Sequence, residues 1–146
     1  MMSEISKKVI IKAQFFDVDS MNVVWHGNYI KYLETARCEL LDEIGYNYEA
    51  MKNDGFAFPV VKLDIKYAKP VFFGDEIEVE AILVEFESFL KFRYIIRNVK
   101  TKEKLSVANS SQVAVDMKDI QTCLVLPEPI KKAIKRYQNE KLNSNT

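Results

Sequence analysis

"NYIKYLETARCELLDEIG", residues 28–45, decides the fold. Within it Ile30, Leu33, Ala36, Arg37, Leu40, Leu41 and Ile44 recur at three- and four-residue intervals, which gathers them on one side of a helix. Gly45 follows as a left-handed stop, and Asn28 offers a side-chain oxygen to the first free amides. The spacing predicts one amphipathic helix over Tyr29–Ile44 with Asn28 as its N-cap.

On either side the period changes. Residues 8–16, "KVIIKAQFF", are β-branched and aromatic enough for a first strand. Beyond a short helical stretch at "YEAMKNDG" come four long strand candidates, "FPVVKLDIKYAKP", "DEIEVEAILVEF", "SFLKFRYIIRNV" and "KLSVANSSQVAVDM". The second alternates Ile77, Val79, Ala81 and Leu83 against Glu76, Glu78 and Glu80, the period of a half-buried strand. A shorter fifth, "IQTCLVL", follows, and breaks at Pro70, Gly74-Asp75, Glu87-Ser88, Lys100 to Lys104 and Lys118-Asp119 separate the strands. The order strand, long helix, meander is α+β, with one helix to cover one face of a largely antiparallel sheet. Residues 1–128 read as one domain, and 129–146 as a small basic helix ending in a polar tail that is disordered from about Asn143.

At 146 residues the chain is long enough to bury a core without staples. Lys plus Arg and Asp plus Glu both number 21, so no global charge argues for nucleic acid or an anionic membrane. Neither a long apolar run nor a signal-peptide pattern is present, and Cys38 and Cys123 lack metal or redox spacing. These features point to a cytoplasmic protein with no integral membrane association and no nucleic-acid partner.

"DVDSMNVVWHGNYIKYLETAR", feeding the helix, and "IKYAKPVFFGDEIEVE", between strands, carry a resemblance. The chain resembles the hotdog-fold thioesterases of the 4-hydroxybenzoyl-CoA thioesterase type, and among them the branch of Tol-Pal-associated acyl-CoA thioesterases. The family pattern falls on Asp17, Asp19, Val23, Val24, Trp25, His26, Asn28, Tyr29 and Glu34. The resemblance implies a hotdog fold, a sheet of about five to six strands wrapped around one long central helix. It also implies hydrolysis of an acyl-CoA, or related acyl thioester, to free acid and thiol by a homodimer or homotetramer. No cofactor and no metal are implied.

Relatives carry their catalytic carboxylate at the position of Asp19, which can serve as general base or as nucleophile. Where relatives usually have Gly this chain has Asn22, a residue that tolerates a left-handed turn. Asp17, two residues earlier, shares a face with Asp19 if the backbone is extended, and two close carboxylates would raise the pKa of one; a structural role for Asp17 is the stronger reading. His26, the only histidine, stands at the entrance to the helix, where it either orients water or the thioester, or merely satisfies a turn. Tyr29 is a substrate-binding candidate on the helix, and Glu34 is expected half-buried and paired with Arg37 or across a subunit contact. In some relatives the other subunit donates a backbone amide to the carbonyl oxygen. The matching stretch is residues 55–61, in which Ala57, Phe58 and Val60 are candidates and Pro59 lacks the N–H. Phe58 and Val60 are therefore taken as substrate-binding. Coenzyme A phosphates call for cations, and Lys62, Lys66, Lys69, Lys91 and Arg93 are available by charge alone. The same resemblance leaves room for a non-catalytic module that binds acyl thioesters.

Overall fold

The computed structural model describes residues 4–144, and it carries α1 at Tyr29–Ile44, where the spacing predicts it. The buried side is the predicted stripe with two changes: Tyr29 and Tyr32 join it, and Ile30 stays 42% exposed. Gly45 closes the helix at φ 90°, donating its amide to the Leu41 and Asp42 carbonyls. The N-terminus differs from expectation. Asn28 is not the cap, because its backbone is already helical and its Nδ2 donates to the Asp17 carbonyl at 2.8 Å. A 3-10 turn, His26–Asn28, leads into α1 instead.

Around this helix the chain builds β1 (Ile5–Lys12), α2 (Tyr48–Asn53), β2 (Phe56–Ala57), β3 (Val60–Tyr67), β4 (Glu76–Phe86), β5 (Leu90–Asn98), β6 (Lys104–Gln112), β7 (Val115–Asp116), β8 (Gln121–Thr122) and α3 (Glu128–Ser144). Five strands form one antiparallel sheet in the order β1-β4-β5-β6-β3, and β2-β7-β8 form a small ribbon beside it. This is the α+β hotdog arrangement. Ile77, Val79, Ala81 and Leu83 of β4 are buried in one core with Leu33, Leu40 and Leu41 of α1, so the alternation seen in the sequence is the inner face of the sheet. A fully buried Leu of this kind contributes about 1.5 to 3 kcal/mol relative to exposure.

Three elements depart from the sequence reading. β1 lies earlier than residues 8–16, because the chain turns at Phe15–Asp17 and leaves Phe15 and Phe16 each 76% exposed. The fifth strand shrinks to Gln121–Thr122, since its apolar end, with Leu124 89% exposed, finds no sheet to pack on. The C-terminal helix is not small: it runs 17 residues, through Asn143 to Ser144, and the rest of the expected tail lies outside the described residues. Ile130, Ala133, Ile134 and Tyr137 pack into the same core as α1. Tyr137 donates its hydroxyl to Glu43 Oε2 at 2.6 Å, which fastens α3 to the end of α1. Among the described residues no helix is long and apolar enough to cross a membrane.

Candidate active site

The loop between β1 and α1 is held by its own aspartates. Asp19 accepts the Met21 amide at 2.8 Å and the Val23 amide at 3.3 Å, both on Oδ1. Its backbone closes the same turn, N–H to the Val23 carbonyl at 2.9 Å and carbonyl from the Asn22 amide at 3.0 Å. That turn needs a positive φ, and Asn22 supplies it at 67°, as expected of the residue standing in for glycine. The loop is then tied to the chain ahead of β4: the Val24 amide donates to the Val71 carbonyl, and the Phe73 amide to that of Asn22. Asp19 is thus an exposed carboxylate on a rigid mount.

Asp17 faces elsewhere. The turn that ends at Asp17 breaks the extended backbone on which a shared face depended, and its side chain is buried against α1. It accepts the Gln14 amide at 2.9 Å and the Tyr32 hydroxyl at 2.8 Å on Oδ2, with Lys31 bound to Oδ1. Burial pushes this carboxyl up, but Lys31, Gln14 and Tyr32 together outweigh it and hold it below the ordinary carboxylate value. The direction is opposite to that expected for two crowded carboxylates. Because the folded pKa is lowered, the stabilisation is complete above the ordinary carboxylate value of 3.8 and is lost as pH falls through the folded one. In urea melts over that acid range Asp17→Asn therefore loses stability less steeply than the wild type. Parallel curves would show that the carboxylate contributes nothing to acid unfolding.

Asp19, His26 and Tyr29 surround one cavity of about 440 Å³. His26 is exposed, its ring tilted against Trp25 at 5.1 Å and edge-on to Tyr67 at 6.1 Å. Tyr29 is buried in the cavity wall, edge-on to Tyr67 at 4.8 Å, and burial raises its phenol pKa. Trp25 folds over Gly27, where an added Cβ would lie 2.1 Å from the indole, so this close approach requires glycine. Tyr29, the first residue of α1, lines the same space, which therefore lies near the positive end of a 16-residue helix.

Tyr67 escaped the sequence reading, yet it completes the wall and ties the loop to the sheet by donating its hydroxyl to the His26 carbonyl at 3.0 Å. The available signal was an aromatic at the end of β3 immediately before the Ala68-Lys69-Pro70 break. Of the cations proposed by charge, Lys69 lines the cavity, paired with Glu103 at 2.5 Å, whereas Lys62 and Lys91 border a separate depression with Asp64. Phe58 and Val60 lie away from Asp19 within one chain. Phe58 is buried in the wall of a different cavity, and Val60 lies over Ile30, Leu33 and Arg37 of α1. Glu34 is exposed rather than half-buried, since it sits beside the buried stripe, and it reaches Arg37 at 3.7 Å. Among the described residues no three His, Cys, Asp or Glu side chains are grouped to hold a metal.

The model of the thioesterase-like superfamily matches residues 14–135. The chain belongs to that superfamily. Among curated members, YneP of Bacillus subtilis, provisionally named an acyl-CoA thioesterase, is 32% identical over 113 residues, covering 77% of this chain and 80% of the relative. The acyl-CoA thioester hydrolase YbgC of Escherichia coli O157:H7 is 29% identical over 70 residues, 48% of this chain and 52% of YbgC. Among solved structures, the hypothetical protein TT1821 from Thermus thermophilus superposes with a TM-score of 0.79 at 30% identity, over 90% of this chain and 98% of its own. The DHNA-CoA thioesterase of Staphylococcus aureus shares the fold, with a TM-score of 0.81 at 22% identity over 97% and 95% of the two chains. In this thioesterase-like chain the matched span takes in the Asp19 turn, the Tyr67 wall and the start of α3, so loop and scaffold fall within the same family region.

Proposed function

We propose that this chain is an acyl-CoA thioesterase of the 4-hydroxybenzoyl-CoA type, in the Tol-Pal-associated branch. It works in the cytoplasm as a homodimer or homotetramer. The observation that carries the reading is the mounting of Asp19: one carboxylate oxygen is fixed by two backbone amides on the wall of a cavity shared with His26 and the N-terminus of α1.

The chemistry is a displacement at the thioester carbonyl. Asp19 either takes a proton from water, whose oxygen then adds to the carbonyl carbon, or adds itself to form a mixed anhydride that water opens. In both routes the C–S bond breaks, the sulfur leaves as thiolate and takes up a proton, and the free acid remains. Charge builds on the carbonyl oxygen, where the end of α1 is favourable. His26 orients the water or the thioester, Tyr29 forms the floor, and Lys69 stands at the mouth on the side of the coenzyme A phosphates.

A second copy completes the site. β3 is the edge of the sheet, and the apolar Val60, Val61 and Ile30 are exposed along it and on α1. Pairing two such edges covers these residues and sets the partner subunit's Phe58 and Val60 against Asp19. That accounts for their separation from it within one chain.

The test is thiol release from a panel of short, long and aromatic acyl-CoA substrates, with size-exclusion on the same samples. Turnover by an oligomer and none by a diluted monomer is the expected result. A folded protein that binds acyl-CoA without releasing thiol is a binding module, and overturns the reading. In the same assay His26→Ala lowers kcat by about tenfold, the worth of one hydrogen bond of about 1.4 kcal/mol at the reacting centre. If that variant keeps full kcat, His26 only satisfies the turn.

A further inference from the structure

A second cavity, of about 680 Å³, opens between α2, the stretch from Phe56 to Pro59, and the β7 strand. Its walls are Met51, Phe56, Phe58, Val115 and Met117, with Tyr48 behind them and Lys52 as the one charged side chain. The Tyr48 and Phe58 oxygens in these walls already accept from neighbouring side chains. The Tyr48 hydroxyl accepts from Arg37 Nε at 2.9 Å and from Gln112 Nε2 at 3.2 Å, and the Phe58 carbonyl accepts from the same Gln112 nitrogen at 2.6 Å. Apart from Lys52, what faces the space is mainly ring, thioether and methyl surface. The volume is that of a site for a substantial small-molecule group, and the two methionines can adjust to a flexible occupant.

We propose that this cavity receives the acyl chain of the thioester, and that the chain is a long aliphatic one rather than a hydroxylated ring. The proposal rests on the reading above, in which the Phe58–Val60 stretch of one subunit faces Asp19 of the other. Phe58 and Pro59 wall the cavity, so a thioester whose carbonyl lies against that stretch has its acyl group directed into it. A ring hydroxyl buried there would lose its water against walls made mainly of ring, thioether and methyl surface, which is unfavourable. Each buried methylene, by contrast, adds about fourfold in affinity.

The experiment measures kcat/KM for butyryl-, palmitoyl- and 4-hydroxybenzoyl-CoA with the full chain and with Met117→Trp. Val115→Phe is a second variant in case the first does not fold. Binding of the fluorescent fatty acid cis-parinaric acid is followed in parallel. The expected result is a wild-type preference for palmitoyl over both other substrates of at least about tenfold. In the variants the palmitoyl-to-butyryl ratio drops by about tenfold or more, and parinaric acid binds correspondingly less tightly. A preference for 4-hydroxybenzoyl, or an unchanged ratio in two folded variants, overturns the proposal. If no substrate releases thiol, the hydrolytic reading has failed. The cavity assignment then stands on parinaric acid alone: weaker binding in the variants supports it, and equal binding overturns it.

Discussion

Asp19→Asn keeps the fold and removes nearly all turnover, by about 10²- to 10⁴-fold in kcat, the range lost with a general base. The amide oxygen of asparagine still accepts from the Met21 and Val23 amides, so the turn has no reason to open. What disappears is the group that takes a proton from water or attacks the carbonyl. Thiol release measured beside circular dichroism separates the two effects, and a folded Asp19→Asn that retains wild-type kcat removes the mechanism. Asp17→Asn is the internal contrast, because its carboxylate is directed at Lys31 and Tyr32 rather than at the cavity, and its consequence is read in acid stability.

Arg37→Ala unfolds the protein more readily than any loop substitution discussed above, by about 3 to 5 kcal/mol. The guanidinium is 5% exposed and donates from Nε to Tyr48 and from Nη1 to Tyr94 at 3.1 Å, while Tyr94 shares a 2.8 Å hydrogen bond with Ser110. Truncation leaves a hole at the centre of the fold and withdraws charged hydrogen bonds from the buried Tyr94 and half-buried Tyr48 hydroxyls. Burial disfavours the charge, yet the two tyrosines more than restore it, so the side chain stays protonated at any pH the fold tolerates. Urea unfolding reads the effect as a lower midpoint at unchanged m-value. Arg37→Lys recovers only part of it, since an ammonium cannot reproduce two bonds diverging from a planar group. A midpoint within error of wild type would mean that the network is incidental to the fold.

The contrast between these residues explains what was legible beforehand. The helix at Tyr29–Ile44 and the inner face of β4 are local patterns, carried by spacings of three, four and two, and they were readable at once. Asp19 and His26 stood out as candidates because the motif containing them is contiguous, and the fold brings both to one cavity. Arg37 sat in the apolar stripe, but the partners that bury it lie 11 and 57 residues away, and no local rule anticipates them. Tyr67 was hidden for the same reason: it reaches back 41 residues to the His26 carbonyl. Asn28 looked like a cap because the competing acceptor, the Asp17 carbonyl, becomes a neighbour only when the loop folds. Phe15 and Phe16 have strong strand propensity, and the turn made by Gln14 and Asp17 overrides it.

The placement of β1 and α3 bears on how the protein emerges from the ribosome. The first strand pairs with β4 in a register from Ile5 with Leu83 to Lys12 with Glu76, so in a nascent chain β1 lacks its full pairing until residue 83 has left the exit tunnel. The core is then still open, because Ile130, Ile134 and Tyr137 of the last helix belong to it. The core therefore closes only when α3 docks, and the interval before that is when it is most exposed to chaperones, proteases and other unfinished copies.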